Sequence, residues 1–122
     1  MNDRQTNVQE LKETISKFVH ERNWAEAHNP KNLSMSIAIE AAELMEIFQW
    51  LSTEEAKSIQ NYEQKFDHLK DELADVMIYC LSMANQLDID VASIIEEKTK
   101  KNGRKYPVEK AKANRLGSHQ EG

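Results

Sequence analysis

Glu40-Ala-Ala-Glu43 and Glu72-Leu-Ala-Asp75 are two acid pairs, each spaced three residues apart and each set in apolar sequence. On a helix that advances ~100° per residue, three positions leave two side chains ~60° apart, so each pair projects toward one point. Leu33, Ile37, Leu44, Ile47 and Leu51 all fall within about 60° of Glu40 on that wheel. Leu69, Val76, Met83 and Leu87 surround Glu72 in the same way, and Tyr79 shares their side. Burying an unpaired carboxylate forfeits its hydration, and burying four together adds mutual repulsion. Protonation or a cation must relieve that charge, and only a cation keeps all four acids ionised. All-oxygen donors at this spacing on facing helices suit a hard divalent ion, Mg²⁺ or Mn²⁺, which retains waters and accepts phosphate oxygens. Such an ion activates water for phosphoanhydride hydrolysis. The plainer alternative is that Glu-x-x-Glu decorates a solvated helix. It fits one pair better than it fits two pairs centred on apolar arcs.

Helices must carry these acids, and the apolar spacing supplies them. Val8, Leu11, Ile15, Phe18 and Val19 recur at helical intervals and predict a first amphipathic helix over residues 6–22. Residues 23–32, with Trp24, His28 and Pro30, break the pattern, and Asn32 or Ser34 is expected to cap a second helix running to about residue 51. Ser52 with Glu55 reads as a capping box that starts a short third helix. A long fourth helix is expected over residues 62–86, and Asp90 should cap a fifth over residues 91–102 that Gly103 stops as a C′ glycine. Residues 1–110 thus form one domain, and residues 111–122 are expected to be a loosely held tail. No internal repeat or low-complexity tract interrupts it.

The composition agrees. Three glycines and two prolines among 122 residues are too few turn formers for a many-stranded sheet, so the class is all-α. With 21 acidic against 16 basic residues, a net charge of −5 excludes a module that grips a nucleic-acid polymer through a positive surface. An anionic ligand therefore needs a metal bridge. Cys80 has no second cysteine to pair with. The most apolar stretch, residues 76–84, falls far short of the ~20 residues that span a bilayer, and the polar residues 1–10 do not read as a secretory signal. No membrane association and a cytoplasmic location are the expectation.

The acid pairs are flanked by Arg22-Asn23-Trp24, His28-Asn29-Pro30-Lys31-Asn32-Leu33, Glu43-Leu44-Met45-Glu46-Ile47-Phe48-Gln49-Trp50, Asp71-Glu72-Leu73-Ala74-Asp75-Val76-Met77-Ile78-Tyr79 and Asn102-Gly103-Arg104-Lys105-Tyr106-Pro107. In these five ordered blocks, spread over about residues 18–107, the sequence resembles the MazG-like, all-α nucleoside triphosphate pyrophosphohydrolases, and within them the dCTP pyrophosphatase branch. The resemblance implies a four-helix core completed by oligomerisation, as a homodimer or a tetramer of paired dimers. It also implies Mg²⁺ held by Glu40, Glu43, Glu72 and Asp75, water attack at the α-phosphate with release of pyrophosphate, and a part in removing unwanted nucleotides. By position it makes Trp24 and Trp50 the walls of a base pocket with His20 nearby, and gives Tyr79, Lys98 and Asn102 contacts to phosphate or sugar. On the wheel Trp50 falls about 20° from Glu43, beside the metal site. Lys98, Lys100, Lys101, Arg104 and Lys105 form a cationic run that could reach a triphosphate.

Other residues have plainer expectations. His28 reads as a half-exposed loop residue, His68 is only suggestively one turn before Glu72, and Cys80 reads as a small buried hydrophobe. Met35, Met45, Met77 and Met83 look like core or subunit-interface residues. Two other function classes compete with the enzyme. A di-iron carboxylate protein would need Glu-x-x-His pairs, which the chain lacks. A non-catalytic oligomeric module that binds nucleotide or metal would not need all four acids.

Overall fold

The structure, a computed structural model, describes residues 1–113. Every described element is helical: α1 (Val8–Glu21), α2 (Pro30–Phe48), α3 (Thr53–Lys57), a single 3-10 turn (Ile59–Asn61), α4 (Glu63–Leu87), α5 (Val91–Lys105) and α6 (Val108–Ala113). The chain divides into two compact units, Met1–Ile89 and the part from Asp90 onward.

Within the first unit, local chemistry fixes each helix end. Asn7 caps α1 by accepting from the Glu10 amide while the Glu10 carboxylate accepts from the Asn7 amide, a capping box made with asparagine in place of serine. At the other end Asn23 adopts a left-handed conformation, φ 56°, with its amide donating to the His20 carbonyl and the Trp24 amide to the Val19 carbonyl. That pair of bonds is a Schellman turn, and asparagine tolerates the positive φ it needs. The cap of α2 is Asn29, whose side chain accepts from the Asn32 amide, and not Asn32 or Ser34. Pro30 at the first helical position lacks an amide the helix would leave unpaired anyway, so proline here starts the helix that the sequence pattern begins later. The Ser52–Glu55 capping box forms as expected. A second Schellman turn, with Asp88 at φ 53° and the Ile89 amide on the Ala84 carbonyl, closes α4.

α4 is the hub of this unit. α2 packs along it, α1 packs on it too, and the 3-10 turn closes against it. The buried core is small: Val19, Leu33, Ile47, Ile59 and Ala84. Two cross-links hold α1 to the end of α4, from Asn85 Nδ2 to the Lys12 carbonyl at 3.0 Å and from Lys12 Nζ to the Ile89 carbonyl at 2.8 Å. Much apolar surface stays open. Met35, Ile39 and Met45 on α2 and Leu73, Met77 and Ile78 on α4 are all exposed, and so is Cys80, which is therefore not the buried hydrophobe its place on the wheel predicts.

In the second unit Asp90 caps α5 as expected, its carboxylate accepting from the Ser93 amide. α5 runs through Gly103 and ends at Lys105, before Pro107, so Gly103 is an interior helical residue and not a C′ stop. The missing donor of Pro107, together with its restriction of the residue before it, ends the helix instead. Residues 111–113 belong to α6, and the rest of the expected tail, residues 114–122, lies outside the described residues. No helix among the described residues is long and apolar enough to cross a membrane.

Candidate functional site

The helical periods of α2 and α4 aim their acids at each other. Glu40, Glu43 and Glu72 each offer a carboxylate oxygen, and these atoms all lie within 4.8 Å of one another. Asp75 sits one turn beyond Glu72, half-buried, and is not part of that close group. Its charge nonetheless reaches the site, because Tyr79, whose hydroxyl is pushed up chiefly by burial, is raised further by Glu40 and then by Asp75.

The electrostatics of the three close acids show strain. Glu40 is raised from 4.5 to about 7, first by hydrogen bonding to Glu72, then by desolvation and by the Glu43 charge. Glu72, which is 9% exposed, is held down, first by accepting from Glu40. Their mutual interaction thus pushes Glu40 up and holds Glu72 down. No N–H or hydroxyl reaches the buried Oε2 of either residue. Two buried carboxylate oxygens without a donor leave a place that a cation can fill. A hard divalent ion fits this donor set: oxygen ligands only, converging within ion-coordinating reach, with negative charge in excess. His68, one turn before Glu72, brings Nε2 to 3.4 Å from Glu72 Oε1 and so joins the site that the sequence pattern only hinted at.

An aromatic file leads away from the acids. Tyr79 neighbours the His28 ring at 6.1 Å, His28 stacks on Trp24 at 6.0 Å and 20°, and Trp24 meets Phe18 edge-on at 5.7 Å. The Arg22 guanidinium lies 3.7 Å over the Phe18 ring. The Schellman turn at Asn23 is what swings Trp24 back over this file. Beside it a cavity of about 260 Å³ opens between α1 and α4, lined by Ile15, Val19, His20, His28, Ser82 and Asn85 among others. His20 Nδ1 lies 2.8 Å from the Ser16 carbonyl.

The structure thus gathers Glu40, Glu43, Glu72 and Tyr79 at one place and Trp24 and His20 at the next. Trp50 does not join either group. α2 ends at Phe48, so the wheel no longer governs Trp50, which is 87% exposed and stacks on no described ring. Lys98 and Asn102 belong to α5, in the second unit. His28 lies half-exposed in the loop between α1 and α2, as expected, and Ser82 lies three residues beyond Tyr79, ~60° round the wheel of α4.

Residues 35–116 match the MazG-like family, and the chain belongs to that family. Among individual proteins it is 31% identical over 101 residues to dCTP pyrophosphatase 1 of Rattus norvegicus, covering 83% of this chain and 59% of that one. It is 29% identical over 107 residues to dCTP pyrophosphatase 1 of Homo sapiens, covering 88% and 63%. The chain therefore spans about three-fifths of the length of these curated relatives. The crystal structure of a pyrophosphatase from Archaeoglobus fulgidus superposes with a TM-score of 0.77 at 36% identity, covering 88% of this chain and 98% of that one.

Proposed function

We propose that this chain hydrolyses a nucleoside triphosphate to its monophosphate and pyrophosphate, with a divalent cation, Mg²⁺ foremost, held by Glu40, Glu43, Glu72 and Asp75. The observation that carries the reading is the convergence of three carboxylates within 4.8 Å, two of whose buried oxygens no donor satisfies. The similarity to proteins named as pyrophosphatases over most of this chain supports it. A bound divalent ion supplies charge neutralisation for the phosphates and a water of lowered pKa. The water oxygen bonds to the α-phosphorus, the bridging bond to the β-phosphate oxygen breaks, and pyrophosphate leaves. Glu40 or Glu43 accepts the proton of the attacking water, since either carboxylate can serve as base once ionised. Trp24, stacked on His28, offers a plate for the base, with His20 beside it. Tyr79, between acids and aromatic file, bears on the sugar or phosphate; for Lys98 and Asn102 as phosphate or sugar contacts, and Trp50 as a base contact, the proposal rests on the family resemblance alone.

The relatives' printed activity points to dCTP, or a modified deoxynucleotide, as substrate, and to a cytoplasmic role in clearing nucleotide pools. The exposed apolar residues of α2 and α4 make a homodimer or homotetramer part of the same proposal, because such surface is costly to leave in water. A panel of (d)NTPs assayed with and without Mg²⁺, with product analysis, tests the function. Metal-dependent monophosphate plus pyrophosphate is the expected result. Diphosphate plus phosphate, or no turnover, would overturn it, the latter in favour of a binding module.

A further inference from the structure

Of the three close carboxylates only Glu72 is held from outside the cluster. Among the described residues no ion pair reaches Glu40 or Glu43. Glu72 Oε1 instead meets His68 Nε2 at 3.4 Å, one turn back along α4. Helical side chains lean toward the N-terminus of their helix, so a residue at i+4 bends back over the one at i, and the geometry of α4 itself brings Glu72 to His68. The two ends of this contact differ: the Glu72 side chain keeps 12% of its surface exposed, the His68 side chain 60%. The imidazole therefore stands at the rim and the carboxylate within. Lys70, the nearest cation to Glu72 in sequence, is engaged elsewhere, with Nζ 3.2 Å from Asp67 and 4.7 Å over the Phe66 ring. It leaves Glu72 to His68.

Engaging one oxygen of a carboxylate determines what the other can do. With Oε1 held by the ring, Glu72 has Oε2, buried and met by no donor, to offer an ion. A carboxylate free on both oxygens can instead clasp an ion with the pair. Which mode is used separates the two common hard cations. Ca²⁺ takes roughly six to eight oxygens, often two from one carboxylate, in flexible geometry, whereas Mg²⁺ demands a near-octahedral shell at ~2.0–2.1 Å that the narrow bite of a chelating carboxylate spoils.

We propose that His68 is a positioning residue for Glu72: by engaging Oε1 it confines the carboxylate to one-oxygen ligation through Oε2, and so favours Mg²⁺ over Ca²⁺. This rests on the metal site proposed above and adds a residue that shapes which ion it takes. His68 is not itself a ligand, since it stands outside the group of atoms that converge from Glu40, Glu43 and Glu72.

Calorimetric titration of the whole metal-free protein with magnesium chloride and, separately, calcium chloride, without nucleotide, tests this. His68→Ala should weaken Mg²⁺ binding about tenfold, the scale on which contacts that orient a ligand act, while Ca²⁺ binding holds or tightens. His68→Gln, whose amide N–H can donate to a glutamate one turn on, should restore the wild-type ratio of the two affinities. A histidine that only stabilised the helix would move both ions together and gain nothing from glutamine. Infrared spectra of Ca²⁺-loaded His68→Ala should show carboxylate stretching bands drawn closer together than in wild type, the mark of two-oxygen coordination. Both substitutions replace a mostly exposed side chain on a long helix with a good helix former, so circular dichroism and melting should stay near wild type. Parallel loss of both ions in His68→Ala, an unchanged Mg²⁺ affinity, or no recovery in His68→Gln would overturn the proposal. Any of these with pyrophosphate release intact would leave the hydrolase standing. A shifted ratio in a protein that releases no pyrophosphate would instead keep His68 in its role and refute the hydrolase.

Discussion

The acid cluster between α2 and α4 and the cavity between α1 and α4 both leave buried polar atoms without partners, but the orphans differ in charge. Glu40 and Glu72 are carboxyls crowded by a third, Glu43, and the crowding pushes Glu40 up to about 7 while Glu72 is held down. Ser82 and His28 are groups with no like charge beside them, and their cost is an unmade hydrogen bond. A repelling cluster calls for a cation, whereas a buried hydroxyl or imidazole nitrogen calls for none. The same long helix α4 presents both, Glu72 at one level and Ser82 further along.

The sharpest way to break this contrast is to neutralise a charged orphan. Glu43→Gln or Glu72→Gln should cut pyrophosphate release at least about a hundredfold, since each removes a metal donor, while circular dichroism shows the helices intact. The metal-free variant should melt no lower than wild type, because repulsion is relieved. Turnover near wild type in either variant would take that residue out of the site. Next in size is the aromatic file. Trp24→Ala removes the ring stacked on His28 and should raise KM about 5- to 150-fold, the equivalent of ~1–3 kcal/mol of base stacking, with the metal requirement unaltered.

The third effect is a pH dependence confined to the acid side of the comparison. Glu40 has a folded pKa near 7, raised above its unfolded value of 4.5, so its contribution to stability is full below about pH 4.5 and is lost as pH rises through 7. Glu72 is shifted the other way, so its contribution is present above its unfolded value and is lost as pH falls through its lowered folded pKa. Metal-free protein should therefore melt highest on the mildly acidic side and progressively lower toward pH 8. Saturating Mg²⁺ should flatten or reverse the alkaline fall. A melting temperature that rises from pH 5 to pH 8 without metal would contradict the raised pKa of Glu40. The smallest effect concerns what aims Trp24. Asn23→Ala forces a Cβ-bearing residue without asparagine's local hydrogen bonding into φ 56° at a cost of ~1 kcal/mol, a few degrees in melting temperature, and Asn23→Gly should not.

The helices were legible because their signals are local: the apolar period of α1, the Ser52–Glu55 box and the Asp90 cap each work within a turn or two. Boundaries slipped where two local signals competed, as at Asn29 against Asn32, or where a lone glycine was weighed above the proline that follows, as at Gly103. The acid cluster was legible because one wheel per helix places Glu40 and Glu72 on faces that must pack together. The cavity was not, since it joins Ser82 to His28 on separate elements, and only packing α4 against α1 and the loop between α1 and α2 reveals that neither has a partner. Trp50 shows the limit of the wheel itself: its angle has meaning only while the helix lasts, and α2 stops two residues earlier.

Calorimetric titration of the metal-free protein with Mg²⁺ at near-neutral pH, in two buffers of different ionisation enthalpy, bears most directly on the acid cluster. Saturable binding accompanied by proton release, with binding lost in Glu72→Gln and release lost in Glu40→Gln, is the expected result. No binding, or binding unchanged in both variants, would contradict a metal held between α2 and α4.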